Sequence, residues 1–213
     1  MKLAAVAAVL LAGTATAALD LRTVVLKPAQ VGKGYQLYAR PDGFGVKAAP
    51  TLDLCGKPSS YPSEKLRADR LQVDYQKKRS KLLLSLEVVR YKPGGANQAL
   101  REVRSHAVGC PHHPIATGFP GAGPLRFTIT QLHDAKLAKG YVAVRVRAVG
   151  KLTNGTHVDQ TSYAVYQRVG DVLSGVYSSG PNTRAQQAFA LHAAEASARL
   201  LQKVAHAPKG PPA

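Results

Sequence analysis

The 213-residue chain has no tryptophan, one methionine and two cysteines. It is also short of acids, with 12 Asp and Glu against 29 Lys and Arg, a formal net charge of +17. Each shortage excludes something. A structural zinc site needs four ligands, and beyond the "CPHH" stretch no second Cys or His pair has metal-site spacing. No apolar run reaches the ~20 residues of a membrane-spanning helix. No serine sits in a Gly-x-Ser-x-Gly elbow, and "GFPGAG" (118–123) lacks the Lys-Ser/Thr ending of a phosphate loop. Enzyme chemistry finds no recognisable motif here, and the sequence reads as a non-enzyme that needs no cofactor or metal.

What is present begins with "MKLAAVAAVLLAGTATAALD". Lys2, an apolar run from Leu3 to Gly13 and Ala15-Thr16-Ala17 fit an export signal, with residues 1–17 removed before Ala18. "Leu11-Ala12-Gly13" would precede a lipidated cysteine, but Thr14 follows, so this position offers no thiol for a lipid anchor. The expectation is a secreted protein of the cell envelope, not an integral membrane protein. Residues 18–206 would form one domain, and 207–213 a Pro/Gly-rich disordered tail. Losing Lys2 lowers the charge by one, from +17 to +16. Such a surface attracts polyanions. Export argues against nucleic acid as the physiological partner and leaves acidic envelope polymers or anionic lipid.

Hydropathy patterning gives the elements. "RLQVDYQ" (70–76) alternates with Leu71, Val73 and Tyr75 on one face, and "KLLLSLEVVRY" (81–91) with Leu82, Leu84, Leu86 and Val88. The short "KKRS" connector makes them a hairpin. Asn154-Gly155 signals a second, two-residue hairpin. That turn sets Val146 opposite Tyr163, Val144 opposite Val165 and Arg147 opposite Ser162. Val144, Val146, Tyr163 and Val165 would then be buried together, with Arg145 and Arg147 on the other face as candidate contacts to ligand or polyanion. "PLRFTITQL" (124–132) and "DVLSGVYS" (171–178) read as further strands. "GANQALREVRSHAV" (95–108) reads as a helix buried along Ala96, Leu100, Val103 and Ala107. "TRAQQAFALHAAEASARLLQKVA" (183–205) reads as another, buried along Ala185, Phe189, Ala196 and Leu200 and opened by a Thr183/Gln186 capping box. The order implies α+β: a twisted antiparallel sheet of about six strands with two helices on one face.

"VGCPHHP" (108–114) is the most chemically suggestive stretch. Adjacent His112 and His113 point to opposite sides of an extended chain and do not readily share one ion. In an oxidising compartment a lone pair of cysteines forms a disulfide, so Cys55 and Cys110 are expected to join the front of the first hairpin to the end of the first helix. Closing a loop of that length is worth roughly 4 kcal/mol in the chain-entropy model. His157 with Asp159, and His133 beside Asp134, are the sites where a minor, hydrolase reading would have to begin. "NGT" (154–156) matches a glycosylation acceptor and reads as a turn.

With these residues in hand, the chain resembles the PknH-like extracellular sensor domains of actinobacteria. The resemblance rests on "LDLCGKP", the Leu/Val-rich hairpin, "ALREVRSHAVGCP", and "VYQRVGDVLSGVYSSG" ahead of an alanine-rich helix, and it covers roughly residues 20–205. It implies a twisted antiparallel sheet with two helices and a cleft, hence an exported sensor-like domain that binds an unidentified ligand. The runner-up is a structural or adhesive envelope protein held to acidic polymers by its basic surface. The kinase-linked domain carries two disulfides and this chain can make only one. It also has no kinase or membrane segment, so signalling would need another protein. No ligand residues carry across.

Overall fold

A computed structural model describes residues 19–48, 54, 61–110, 113–116, 121–134, 136–137, 140–180 and 184–205. Seven strands form one sheet: β1 (Tyr35–Ala39), β2 (Arg67–Lys77), β3 (Leu83–Tyr91), β4 (Ala122–Gln131), β5 (Val142–Leu152), β6 (His157–Val169) and β7 (Val172–Gly180). Their order is β1-β2-β3-β7-β6-β5-β4, antiparallel throughout. Two meanders, β1–β3 and β4–β7, thus meet where β7 pairs with β3. The helices are α1 (Pro28–Val31), α2 (Gly95–Gly109) and α3 (Arg184–Ala205). The α+β class stands, with seven strands instead of about six and three helices instead of two. β1 and the single turn α1 are the additions. β1 has only five residues and is mostly exposed, so it carries no alternating pattern to detect.

The helices do not share a face. Period-2 alternation gives the sheet two faces, and each carries one of the two long helices. On the back face α3 packs over Leu84, Leu86, Val88, Val165 and Val176. On the front face α2 packs over Val89, Tyr91, Val142, Val144, Ala164 and Leu173. The central strands therefore read as near-continuous apolar runs. A single covered face would have left every second residue polar.

α2 follows its expected stripe, with Ala96, Leu100, Val103 and Ala107 all buried. α3 is rotated from its expected one. Of that stripe Ala196 is buried, Phe189 and Leu200 are half-buried against the core and Ala185 is exposed, whereas Gln186, Ala190, Ala193, Ala194, Ser197 and Leu201 are other buried positions. Alanine-rich sequence gives little contrast between faces, and polar contacts fix the rotation instead. Gln167 Nε2 donates to the Ala194 carbonyl at 2.8 Å, and the Ser174 and Ser197 hydroxyls meet at 2.8 Å. Gln186 Nε2 donates to the Thr161 and Ser178 carbonyls. Thr183 lies outside the described residues, as do 1–18 and 206–213.

The β5–β6 hairpin is displaced by one residue from the expected register. Val146 stands opposite Ser162, Val144 opposite Ala164 and Arg147 opposite Thr161. The turn explains the slip. Leu152 still bonds Thr156, and the Gly155 N–H donates to the Leu152 carbonyl, leaving a three-residue loop, Thr153-Asn154-Gly155. Gly155 alone takes the left-handed conformation, φ +83°, as three-residue hairpin loops require. The Asn154 side chain accepts from the Thr156 N–H instead of occupying a left-handed position itself. One extra loop residue moves every β6 partner to the opposite face. Val144 and Val146 therefore share the front face with Ala164 and Tyr166. Tyr163 and Val165 lie on the back with Arg145 and Arg147.

Candidate functional site

α2 covers only one end of the front face. Along β5, Val142 and Val144 lie under the helix and Val146 and Ala148 lie beyond it. Along β3, Val89 and Tyr91 lie under it and Glu87 and Ser85 beyond. The uncovered end holds a cavity of about 800 Å³, lined at the side by Arg40, Asp42 and Leu54. That volume lies toward the upper end of the ~300–1,000 Å³ range of small-molecule sites.

Its two walls differ because the strands that supply them differ. β4 and β5 contribute Leu125, Phe127, Val146, Ala148 and Leu152, an apolar wall. β2 and β3 contribute Arg70, Gln72, Asp74, Ser85 and Glu87, a polar one. These polar side chains alternate with the back-face core residues Leu71, Val73, Leu84 and Leu86, so the same pleat that buries the core aims them into the cavity.

The polar wall is a connected network. Arg70 Nε donates to Glu87 Oε1 at 2.6 Å, with both side chains almost wholly buried. The rest of the Arg70 guanidinium reaches the Asp42 carbonyl at 3.0 Å, the Gly45 carbonyl, and Gln72 Oε1. Tyr177 donates to the second Glu87 oxygen at 3.0 Å. Gln72 Nε2 donates to Ser85 Oγ at 3.0 Å, and Ser85 in turn donates to Asp74 at 2.6 Å. Arg40 spans Asp42 at 3.2 Å and Asp74 at 3.7 Å. The Arg40 guanidinium holds the Asp42 carboxyl below the usual carboxylate range. Burial, with Tyr166 and Glu87 adding to it, pushes the Tyr177 phenol well above its ordinary value. Tyr177 therefore acts as a fixed donor at neutral pH.

Gly175 makes that donor possible. It is the cross-strand partner of both Glu87 and Tyr166. A β-carbon there would sit 2.4 Å from the Tyr177 hydroxyl and 2.8 Å from its ring. Only glycine lets the Tyr177 ring lie over the β7 backbone toward Glu87, edge-on to Tyr166 at 5.6 Å between centroids.

The sequence candidates lie elsewhere. Arg145 and Arg147 are on the back face at the β4–β5 edge and do not line the cavity. Arg147 is engaged bidentately by Asp159, at 2.8 and 2.6 Å, and Arg145 reaches the Thr130 hydroxyl at 3.3 Å. Asp159, the carboxylate that would orient His157, is thus committed to an arginine. His133 is exposed, while the Asp134 N–H meets the Tyr141 hydroxyl. Cys110 ends α2 and is not a free thiol, whereas Cys55, Pro111 and His112 lie outside the described residues. No group of three His, Cys, Asp or Glu suited to a metal occurs among the described residues. Close by, the Tyr61 hydroxyl meets the His106 ring at 2.6 Å, and Ser63 donates to Glu102, clasping the 3-10 turn at Pro62–Leu66 to α2. No described helix is long and apolar enough to cross a membrane.

Sequence reasoning missed Arg70, Glu87, Tyr177 and Gly175. One signal was available: Glu87 is a lone acid inside the apolar run of β3, and an acid there needs a buried partner.

No family model matches the chain, and no curated protein matches it in sequence. Among solved structures, it superposes on the extracellular domain of PknH from Mycobacterium tuberculosis with a TM-score of 0.57 at 12% identity, over 84% of this chain and 94% of that one. An uncharacterized protein from Mycobacterium smegmatis aligns over 84% of this chain and 97% of its own, at 12% identity and a TM-score of 0.42. The chain has the PknH-like extracellular-domain fold.

Proposed function

We propose that this chain is an exported, non-enzymatic sensor-like domain of the bacterial cell envelope that binds a small ligand in the front-face cavity. The observation that carries the reading is the partial cover of that face. α2 buries one end of the sheet and leaves the other end hollow, with a built network along one wall. The polar groups there are engaged with one another, as in a recognition surface. The fold likeness to an extracellular domain and the leader-like first 17 residues support export, and Thr14 leaves no lipid anchor at that site. A Cys55–Cys110 disulfide would tether the chain next to the lining residue Leu54 to the end of α2. Native mass spectrometry of the secreted protein tests the reading. A small molecule should copurify with the wild type and be lost when Ala148→Trp fills the cavity. Retention of the same molecule by a folded Ala148→Trp variant would refute the site.

A second reading, adhesion to acidic envelope polymer or anionic lipid, has its own observation. Arg126, Arg145 and Arg147 line the back face of the β4–β5 edge, and of these only Arg147 has an acidic partner among the described residues.

A further inference from the structure

The cavity carries a charge balance unlike the rest of the molecule. The chain has only 12 acids, yet three of them, Asp42, Asp74 and Glu87, line this one cavity together with two arginines, Arg40 and Arg70. Both arginines are already paired, Arg70 with Glu87 and Arg40 with Asp42 and Asp74. An anionic ligand entering here would find no uncommitted cation among the described lining residues and would face the Asp42 and Asp74 carboxylates. The positive field of the outer surface draws anions in general, but the cavity does not follow it. The capacity left over in its network, the second Gln72 amide N–H and the spare lone pairs of the carboxylates and the Ser85 hydroxyl, instead matches a group that both donates and accepts hydrogen bonds without charge. Facing them is the apolar β4–β5 wall, with Phe127, Val146 and Leu152.

We infer that the cavity takes a neutral amphiphile: a hydroxylated, sugar-like head laid along Gln72, Asp74 and Ser85, and an apolar tail against Phe127, Val146 and Leu152. This rests on the cavity being the ligand site, and the experiment separates the two claims. Three probes are titrated by calorimetry into the full-length secreted protein: octyl glucoside below its micelle threshold, octyl sulfate with the same tail, and glucose alone. Octyl glucoside should saturate at one site and weaken by about tenfold or more in Ala148→Trp, the scale of losing apolar pocket contacts. Octyl sulfate should bind weakly, be insensitive to Ala148→Trp and be removed by salt. A double variant, Asp42→Asn with Asp74→Asn, leaves Arg40 without its partners and should turn the preference toward the sulfate. It also serves as the test should Ala148→Trp fail to fold. Salt-resistant, one-site binding of octyl sulfate tighter than the glucoside and sensitive to Ala148→Trp would overturn the ligand class while keeping the site. So would a double variant whose preference is unchanged. Probes that all ignore Ala148→Trp in a folded protein would overturn the site itself.

Discussion

Gly175→Ala tests the cavity wall through a single methyl group. The new carbon would fall 2.4 Å from the Tyr177 hydroxyl, 2.8 Å from Cζ and 3.2 Å from Cε2, so the ring must swing off the β7 backbone. The hydrogen bond to Glu87 is then broken. Glu87 is 2% exposed and keeps its contact with Arg70, so the bond lost is one made to a buried acidic side chain. Losing a bond to a buried charge costs about 1.5–3 kcal/mol. Replacing glycine in a strand interior returns about 0.5–1 kcal/mol. The expected net loss is about 1–2 kcal/mol, or about 2–8 °C in Tm for a domain of this size. Urea unfolding followed by circular dichroism reads it directly. Tyr177→Leu removes all three contacting atoms. In that background Gly175→Ala should no longer destabilise and should gain about 0.5–1 kcal/mol. An equal loss in both backgrounds would refute the argument, because the cost would then lie in the backbone and not in the Tyr177–Glu87 contact.

The register of the β5–β6 hairpin is open to cross-linking: cysteines at Val146 and Ser162 should form a disulfide in high yield, whereas cysteines at Val146 and Tyr163 should not, and the reverse would restore the two-residue turn. Burial pushes the Tyr91 phenol up to about 12, and those of Tyr75 and Tyr177 also lie well above their ordinary value. Unfolded tyrosine ionises near pH 10, so between there and the folded values the unfolded chain releases protons that the native state keeps, and stability falls as pH rises. Each such tyrosine contributes a slope of about 1.4 kcal/mol per pH unit, and unfolding above pH ~10 should coincide with the appearance of phenolate absorbance for these residues; ionisation that runs ahead of unfolding would refute their burial. Retention on a heparin-like resin should drop steeply with salt, since screening shortens to about 8 Å at physiological ionic strength, and Arg126→Ala with Arg145→Ala should weaken it further; retention unchanged by both would remove the adhesive reading. Intact mass of the secreted protein should lie two hydrogens below the reduced value if Cys55 and Cys110 are joined, and two titratable thiols would exclude the pair.

Local periodicity determined much of this protein. The runs 70–76 and 81–91 alternate as written, the stripe Ala96-Leu100-Val103-Ala107 is the buried one, and the α+β class follows from the order of elements. These are short-range properties, because the pleat and the helical turn repeat within a few residues. The spaced motifs around Cys110 and in "VYQRVGDVLSGVYSSG" also carried the resemblance that the fold bears out. Tertiary structure decided the rest. Whether Asn154-Gly155 closes a two- or three-residue loop depends on which register buries more, and that choice transferred Ala164 and Ser162 to the cavity face and left Arg145 and Arg147 behind the sheet. An alanine-rich helix is nearly symmetric in hydropathy, so α3 took its rotation from Gln167 and Ser174 on the sheet beneath it. The cavity is not local at all. Arg70, Glu87 and Tyr177 come from three strands, and they meet only because β7 enters the sheet beside β3, a long-range pairing that no spacing in the sequence records.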